Sequence, residues 1–320
     1  MPQTLAHPYD KNPERGGNRG GPGTVISVMT NIRVVLAAVF ALGVLPLAGC
    51  ARATVGGASP ADVPSHPADA VVLRVGFEGG LAGPAASATQ VPLISVYGDG
   101  RVVTQGPTIE IYPAPALPNV QVQHVSPADV AKLVRLALDA GVGAGTDLGV
   151  PRILDAPLTR FTVLADGGTR TTDVPALREA GEDAAGLTAA QRAARAKLVH
   201  LLDQLTDLPK TLGSGAVDEA KPFQGAGLAA IAQQYRANDQ STEPPAAELA
   251  WPGPALPGEP LGGATGLGCV TATGDALAKV LDAAKQANAA TRWMSGGKPW
   301  SVTLRPMLPD ESGCADLTKP

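Results

Sequence analysis

The chain has 320 residues, room for about two ordinary domains, and a hydrophobic fraction of 44%, enough for a globular core. Only 3% is aromatic, so that core has to be built from Ala, Val, Leu and Ile. A net charge of −4, with no Lys/Arg stripe anywhere, excludes the clustered basic face that nucleic-acid binding requires.

Residues 34–48 are apolar, with Arg33 just upstream. At about fifteen residues the run is shorter than the roughly 20 that span a bilayer as a helix. Length and flanking charge fit the h-region of a signal peptide, and Pro46 disfavours further helix. Leu47-Ala48-Gly49-Cys50 follows and resembles the lipobox of bacterial lipoprotein precursors: a leucine, two small residues and the cysteine that is lipidated before cleavage. The resemblance implies cleavage just before Cys50, a lipid (palmitate-type) anchor on Cys50, and a mature protein on the extracytoplasmic face of the cell membrane. The alternative is a signal-anchor helix with a chance cysteine. Residues 29–49 form the signal peptide on this reading, and residues 1–28 a disordered leader or a start assigned too early. Residues 50–69, rich in Ala, Gly, Ser and Pro, read as a flexible tether.

Regular structure is expected from Val71. Residues 71–75 and 93–97 read as strands, Gly98-Asp99-Gly100 as a tight turn, and residues 101–104 as the returning hairpin strand. Residues 108–112 and 120–125 alternate with period two, which predicts two half-buried strands. Ser126-Pro127-Ala128-Asp129 predicts a helix start, with Val130, Leu133, Val134 and Ala137 on its buried face and Gly141 at its end. Strands around 160–164 and 170–174 flank Asp166-Gly167-Gly168. The capping box Thr188-Ala189-Ala190-Gln191 opens a helix that buries Leu198, Leu201, Leu202 and Leu205.

Residues 70–207 thus form one α+β domain and residues 208–222 a linker. Residues 223–320 form a smaller α+β domain with a Pro-rich stretch at 243–260, a strand at 269–273, a helix at 275–288 and a hairpin turning on Gly296-Gly297. The fold class is α+β, with mainly antiparallel sheets and a few packed helices. If Cys50 carries lipid, Cys269 and Cys314 remain as an even pair in an oxidising compartment, and a disulfide between them is expected; two separate buried thiols are the alternative.

Tyr112-Pro113-Ala114-Pro115-Ala116-Leu117-Pro118 is echoed by Trp251-Pro252-Gly253-Pro254-Ala255-Leu256-Pro257, each followed by strand, helix and strand. Either two related domains or coincidence in an Ala/Pro-rich chain accounts for this, and strand order decides. The Tyr97-to-Val102 turn, the proline motif after Tyr112 and Arg305-Pro306-Met307-Leu308-Pro309-Asp310-Glu311 resemble uncharacterised lipoproteins of actinobacteria, over most of the mature chain. That resemblance implies no catalytic residue.

Ser295-Gly296-Gly297-Lys298 matches Ser-x-x-Lys but sits in a glycine turn without its companion motifs, and Pro299 stands where a P-loop needs Ser or Thr. Gly141, Gly143 and Gly145 follow a helix, not a strand, and so are no dinucleotide fingerprint. Cys269, Cys314, His7, His66, His124 and His200 have no metal-ligand spacing. Glu78, Asp99 and Glu110 read as solvated strand and turn residues, not a catalytic carboxylate pair. Trp293 and Trp300 fall opposite each other across the last hairpin, either as a binding surface for sugar rings or a partner or, preferred, as core packing; Pro299 points to an edge strand.

No catalytic, cofactor or metal residue is therefore assigned. The expected function is a lipid-anchored binding or scaffolding module of the cell envelope, with an envelope protein or cell-wall glycan as partner and no nucleic acid. The rivals are an envelope hydrolase, which requires His124 or His200 beside a serine and an acid, and the solute-binding component of a transporter.

Overall fold

The computed structural model describes residues 66–318 except 82, 182–183, 237–246 and 263–265. The leader, the signal peptide, Cys50 and most of the tether lie outside the described residues.

Seven strands form the first sheet: β1 (Val71–Gly79), β2 (Ile94–Tyr97), β3 (Arg101–Gln105), β4 (Val120–His124), β5 (Pro157–Ala165), β6 (Gly168–Pro175) and β7 (Lys221–Pro222), in the order β6-β5-β1-β2-β3-β4-β7. All neighbours are antiparallel. The register of β1 on β2 slips between Val71 and Leu73, so Val72 and Leu73 are both fully buried. Helices α2 (Pro127–Asp139) and α3 (Ala189–Thr206) cover one face, bringing Leu133, Leu198, Leu201 and Leu202 against Leu73, Val75, Phe161 and Val163. Both start as the sequence predicts. Ser126 accepts from the Asp129 N–H, and Thr188 with Gln191 closes a reciprocal capping box.

The second sheet has β8 (Gly227–Gln234), β9 (Glu248–Ala250), β10 (Glu259–Pro260), β11 (Gly268–Thr273), β12 (Arg292–Ser295) and β13 (Lys298–Pro306), in the order β10-β11-β8-β13-β12-β9. Only β9–β12 is parallel. A helix α5 (Gly274–Ala284) packs Val280 and Ala284 onto this sheet with Trp251, Trp293 and Leu304. A short helix α1 (Pro84–Thr89) leaves β1 and lies with Ala85 and Ala88 against Ile231, Cys269, Met307 and Leu317. The chain after β13 returns to the first sheet, where buried Leu308 joins Tyr97, Val103 and Val120. The fold class is α+β with mainly antiparallel sheets, as expected, and the described residues all belong to one compact unit.

Several expectations change. Residues 108–112 are in no strand, and Ile109, Ile111 and Tyr112 are 60%, 54% and 79% exposed. Pro107 and Pro113, which bracket the run, have no N–H to offer a ladder at either end of it, and the Ile111 N–H turns inward to the Ile109 carbonyl. Residues 66–69, read as tether, fold back on the Gly98 turn: Gly98 N–H donates to the Ala70 carbonyl, Asp69 pairs with Arg101, and a Cβ on Gly98 would overlap the Pro67 carbonyl oxygen. Residues 208–222, read as linker, contain helix α4 (Leu208–Leu212) and β7, which extends the first sheet beyond β4. Pro299 is not on an edge, because β13 lies between β8 and β12. Its missing N–H falls just before the first β13–β8 pair, Trp300 with Gln234, while its carbonyl accepts from the Tyr235 N–H. The duplication ends on strand order. In the first sheet β4 and β5, the strands before and after α2, have β3, β2 and β1 between them; in the second, β11 and β12, the strands before and after α5, have only β8 and β13 between them. The matching aromatics also differ, Tyr112 being exposed and Trp251 buried.

Candidate functional site

Strand direction gathers the exposed apolar residues. Strands β1, β3 and β6 run one way and β2, β4 and β5 the other. The segments after β1, between β3 and β4, and before β5 therefore emerge at the same end of the first sheet. Those segments hold every large hydrophobic residue that is exposed among the described residues: Leu81; Ile109, Ile111 and Tyr112; and Val150, Ile153 and Leu154, at 37–89% exposure. Single exposed hydrophobics are ordinary, but their collection at one end of a sheet suits an interaction surface. Two hollows of about 530 and 400 Å³ share Thr89, Gln105 and Pro118, and of the seven residues Ile109 alone lines one of them. The chain enters β1 at the opposite end of the sheet. We refer to the apolar end as the pole.

The pole is held from below by a buried cation. Arg195 on α3 is 4% exposed and forms no ion pair among the described residues; its guanidinium donates to the carbonyls of Leu148, Pro175 and Ala176, at 3.3, 2.7 and 2.7 Å. Burial pulls its pKa down, against the charge of Glu179, which pushes it up. Asp147, accepting from Gly149 N–H and Gln191, ties the same loop to the α3 start. Arg195→Met keeps the stem and removes these donors. It is expected to cost about 2 kcal/mol, a central figure for charge-assisted bonds, and to make residues 147–156 the first site of limited proteolysis. An unchanged urea midpoint and cleavage pattern would show that Arg195 does not hold the loop.

The other face of the first sheet carries a polar cluster. Arg74 Nε donates to Ser95 Oγ (2.9 Å), and its amino groups reach Asp310 Oδ2 and Oδ1 at 2.9 and 2.7 Å and Tyr97 Oη at 3.1 Å. Tyr97, fully buried, donates to Asp310 Oδ1 at 2.8 Å. Burial pushes the phenol well above its ordinary pKa, so it stays a donor. Burial also pushes the Asp310 carboxyl up, but the bond and charge of Arg74 outweigh this and hold it below the ordinary carboxylate value. Beside it, Arg305 and Glu311 pair bidentately at 2.5 and 2.8 Å with side chains 4% and 8% exposed. These contacts join β1 and β2 of one sheet to the segment following β13 of the other.

The residues singled out from sequence are dispersed. Trp293 does face Trp300 across the hairpin, whose Gly296 and Gly297 take the positive φ values (58° and 73°) that a two-residue turn demands. But Trp293 is 1% exposed and edge-on to Trp251 at 5.4 Å, which removes it from any binding surface; only Trp300 is partly exposed. Cys269 and Cys314 are disulfide-bonded, Cα atoms 6.0 Å apart. His124 and His200 are exposed, and among the described residues neither ring is hydrogen-bonded to a serine or paired with an acid. Glu78 and Asp99 pair with Arg160 and Arg101, and Glu110 is exposed in the loop after β3. Ser295 Oγ accepts from the Leu256 N–H in a turn. Among the described residues no three His, Cys, Asp or Glu side chains are grouped to hold a metal ion, and no helix is long and apolar enough to cross a membrane. The pole itself escaped the sequence reading; the prolines bracketing 108–112 were its only local signal.

No protein-family model, curated protein or solved structure matches the chain.

Proposed function

We propose that this chain is the precursor of an extracytoplasmic lipoprotein, cut before Cys50 and anchored to the membrane by lipid on that cysteine, whose folded part binds a protein partner of the envelope through the apolar pole. The observation that carries the binding reading is the gathering of seven exposed large hydrophobic residues at one end of one sheet. Its placement supports an anchored module: the chain approaches β1 from the other end, so an anchor there leaves the pole free to face outward. The stretch from Cys50 to His66 reaches at most about 55 Å when extended. The hydrolase reading required a histidine beside a serine and an acid, and no such grouping supports it among the described residues.

Crosslinking in intact cells tests the proposal, with the triple variant Ile109→Lys, Ile111→Lys and Leu154→Lys as control. All three side chains are more than half exposed, so the fold should persist. One partner recovered in stoichiometric amount with the natural chain, and at least tenfold less with the triple variant, is the expected result. Equal recovery with both would exclude the pole. Metabolic labelling with an alkyne fatty acid should mark the natural chain and leave Cys50→Ala unmarked; equal labelling would place the anchor elsewhere.

A further inference from the structure

Four strands end the two sheets, and three of these edges are short: β7 and β10 have two residues each and β9 has three. The fourth, β6, has eight. Its register on β5 runs without a bulge from Ala165–Gly168 to Leu158–Pro175. The two-residue turn Asp166-Gly167 makes Ala165 and Gly168 a hydrogen-bonded pair, and the Ala176 N–H donates to the Pro157 carbonyl in the same phase. The even-numbered residues of β6 therefore bond to β5, and Thr169, Thr171 and Asp173 turn their N–H and C=O groups outward. All three are exposed, and among the described residues no backbone group bonds to them from that side. Proteins blunt such edges with bulges, lysines, interior prolines or short strands. β6 is long, unbulged and free of lysine, with proline only at its end. Its two charges are engaged within the chain, Arg170 with Asp166, and Asp173 with Arg160 at 2.7 Å. An edge of this kind is a template for another strand.

Symmetry and charge decide which strand fits. A second copy can lie antiparallel across a two-fold axis only where outward-turned residues face each other. An axis through residue 170 or 173 sets two arginines or two aspartates opposite each other, which is unfavourable. An axis through residue 172 sets Thr169 against Pro175, which has no N–H. An axis through Thr171 avoids both. Thr171 then faces Thr171 of the second copy, Thr169 faces Asp173, and Arg170 faces Thr172. Three bonded pairs exchange about six backbone hydrogen bonds, and each Thr169 hydroxyl can donate to the facing Asp173 carboxylate. We propose that two copies of this chain pair through β6, antiparallel and centred on Thr171, joining their first sheets edge to edge. The axis is perpendicular to the sheet, so the two poles lie at opposite ends of the pair. Where the chain is anchored as proposed, an axis along the membrane normal keeps both anchors level and both poles clear of the lipid. The pairing itself rests on neither the pole nor the anchor.

Thr171→Cys supplies the test, because a residue on the axis meets its own copy. Opposed Cα atoms of a hydrogen-bonded antiparallel pair stand about 5.5 Å apart, within the span of a disulfide. Thr169→Cys is the control: the position is also exposed, but it would lie about 13 Å along the strands from its own copy. The full chain is expressed in intact cells, treated with a mild oxidant and run on a non-reducing gel, with yields read against the natural chain. The expected result is a band of twice the chain's mass with Thr171→Cys, and at least about fivefold less of it with Thr169→Cys. Thr169→Pro removes an outward N–H and leaves every bond to β5 in place. Added to Thr171→Cys, it should lower the yield of the dimer about tenfold, through the loss of one bond at each end of the pairing. No dimer with Thr171→Cys overturns the proposal. Equal yields from the two cysteines overturn it as well, since collision then explains both, as does a yield indifferent to Thr169→Pro. A crosslink from Thr171→Cys to a different protein overturns it too, by giving the edge to another strand.

Discussion

Asp310→Ala is expected to cost about 3 kcal/mol of folding stability, the low end of what breaking a buried ion pair costs, since both side chains keep about a quarter of their surface (24% and 23%). The cost comes from what remains. Arg74 would keep its charge beside Ser95 and Tyr97 with no carboxylate, and the Tyr97 hydroxyl would lose its acceptor. Arg74→Met alone strands the carboxylate in the same way. The double variant Arg74→Met, Asp310→Ala removes both charges, so its loss should be clearly smaller than the sum of the singles, a coupling of more than about 1 kcal/mol. Additive losses in urea denaturation would show that the two groups act independently. The acid limb follows from the same contact. The folded Asp310 carboxyl lies below its unfolded value, so its contribution is complete above the unfolded value near pH 4 and drains away as pH falls through the depressed folded value. Asp310→Ala should thus flatten the loss of stability below pH 4 and leave the profile from pH 5 to 8 parallel to that of the natural chain.

That pair also shows what sequence could and could not disclose. The N-cap at Ser126, the capping box at Thr188, the Asp166-Gly167 turn and the Gly296-Gly297 turn are local chemistry, settled within four residues, and each forms where its residue types place it. The disulfide was legible by counting once Cys50 was set aside. By contrast Arg74 and Asp310 are 236 positions apart, and nothing in either neighbourhood names the other. Residues 108–112 failed for a related reason. Period-two alternation says that a segment can pair, and only the position of a neighbouring strand says whether it does. The run at 208–222 looked like a linker because Pro209 and Gly213 interrupt it, yet those residues serve as the first-turn proline and the cap of α4. The pole is the most topological feature of all, since Leu81, Ile111 and Leu154 come to the same end of the sheet only through the directions of β1, β3 and β5.

The remaining large effect is in the disulfide. Replacing Cys269 and Cys314 together by serine reopens a span of 45 residues, for which chain entropy gives roughly 4 kcal/mol as an upper-end figure. Few domains have more than 5–15 kcal/mol in total. The local consequences set where that loss is felt. Cys314 opens the 3-10 turn Cys314–Thr318, whose Leu317 packs with Cys314 against α1 and Cys269, while Glu311 and Asp310 just upstream hold Arg305 and Arg74. Freed of the crosslink, the turn retains only these contacts, so the segment after Leu308 should exchange its amide protons faster than β8 or β13. Reductant should lower the urea midpoint of the natural chain to that of the double-serine variant and leave the variant itself unmoved. The lipidated protein should show no reactive thiol before reduction and two after. A midpoint indifferent to reductant, with two thiols titrating from the start, would mean that Cys269 and Cys314 are separate buried thiols. The stability of the segment would then have to come from the Arg305–Glu311 and Arg74–Asp310 pairs alone.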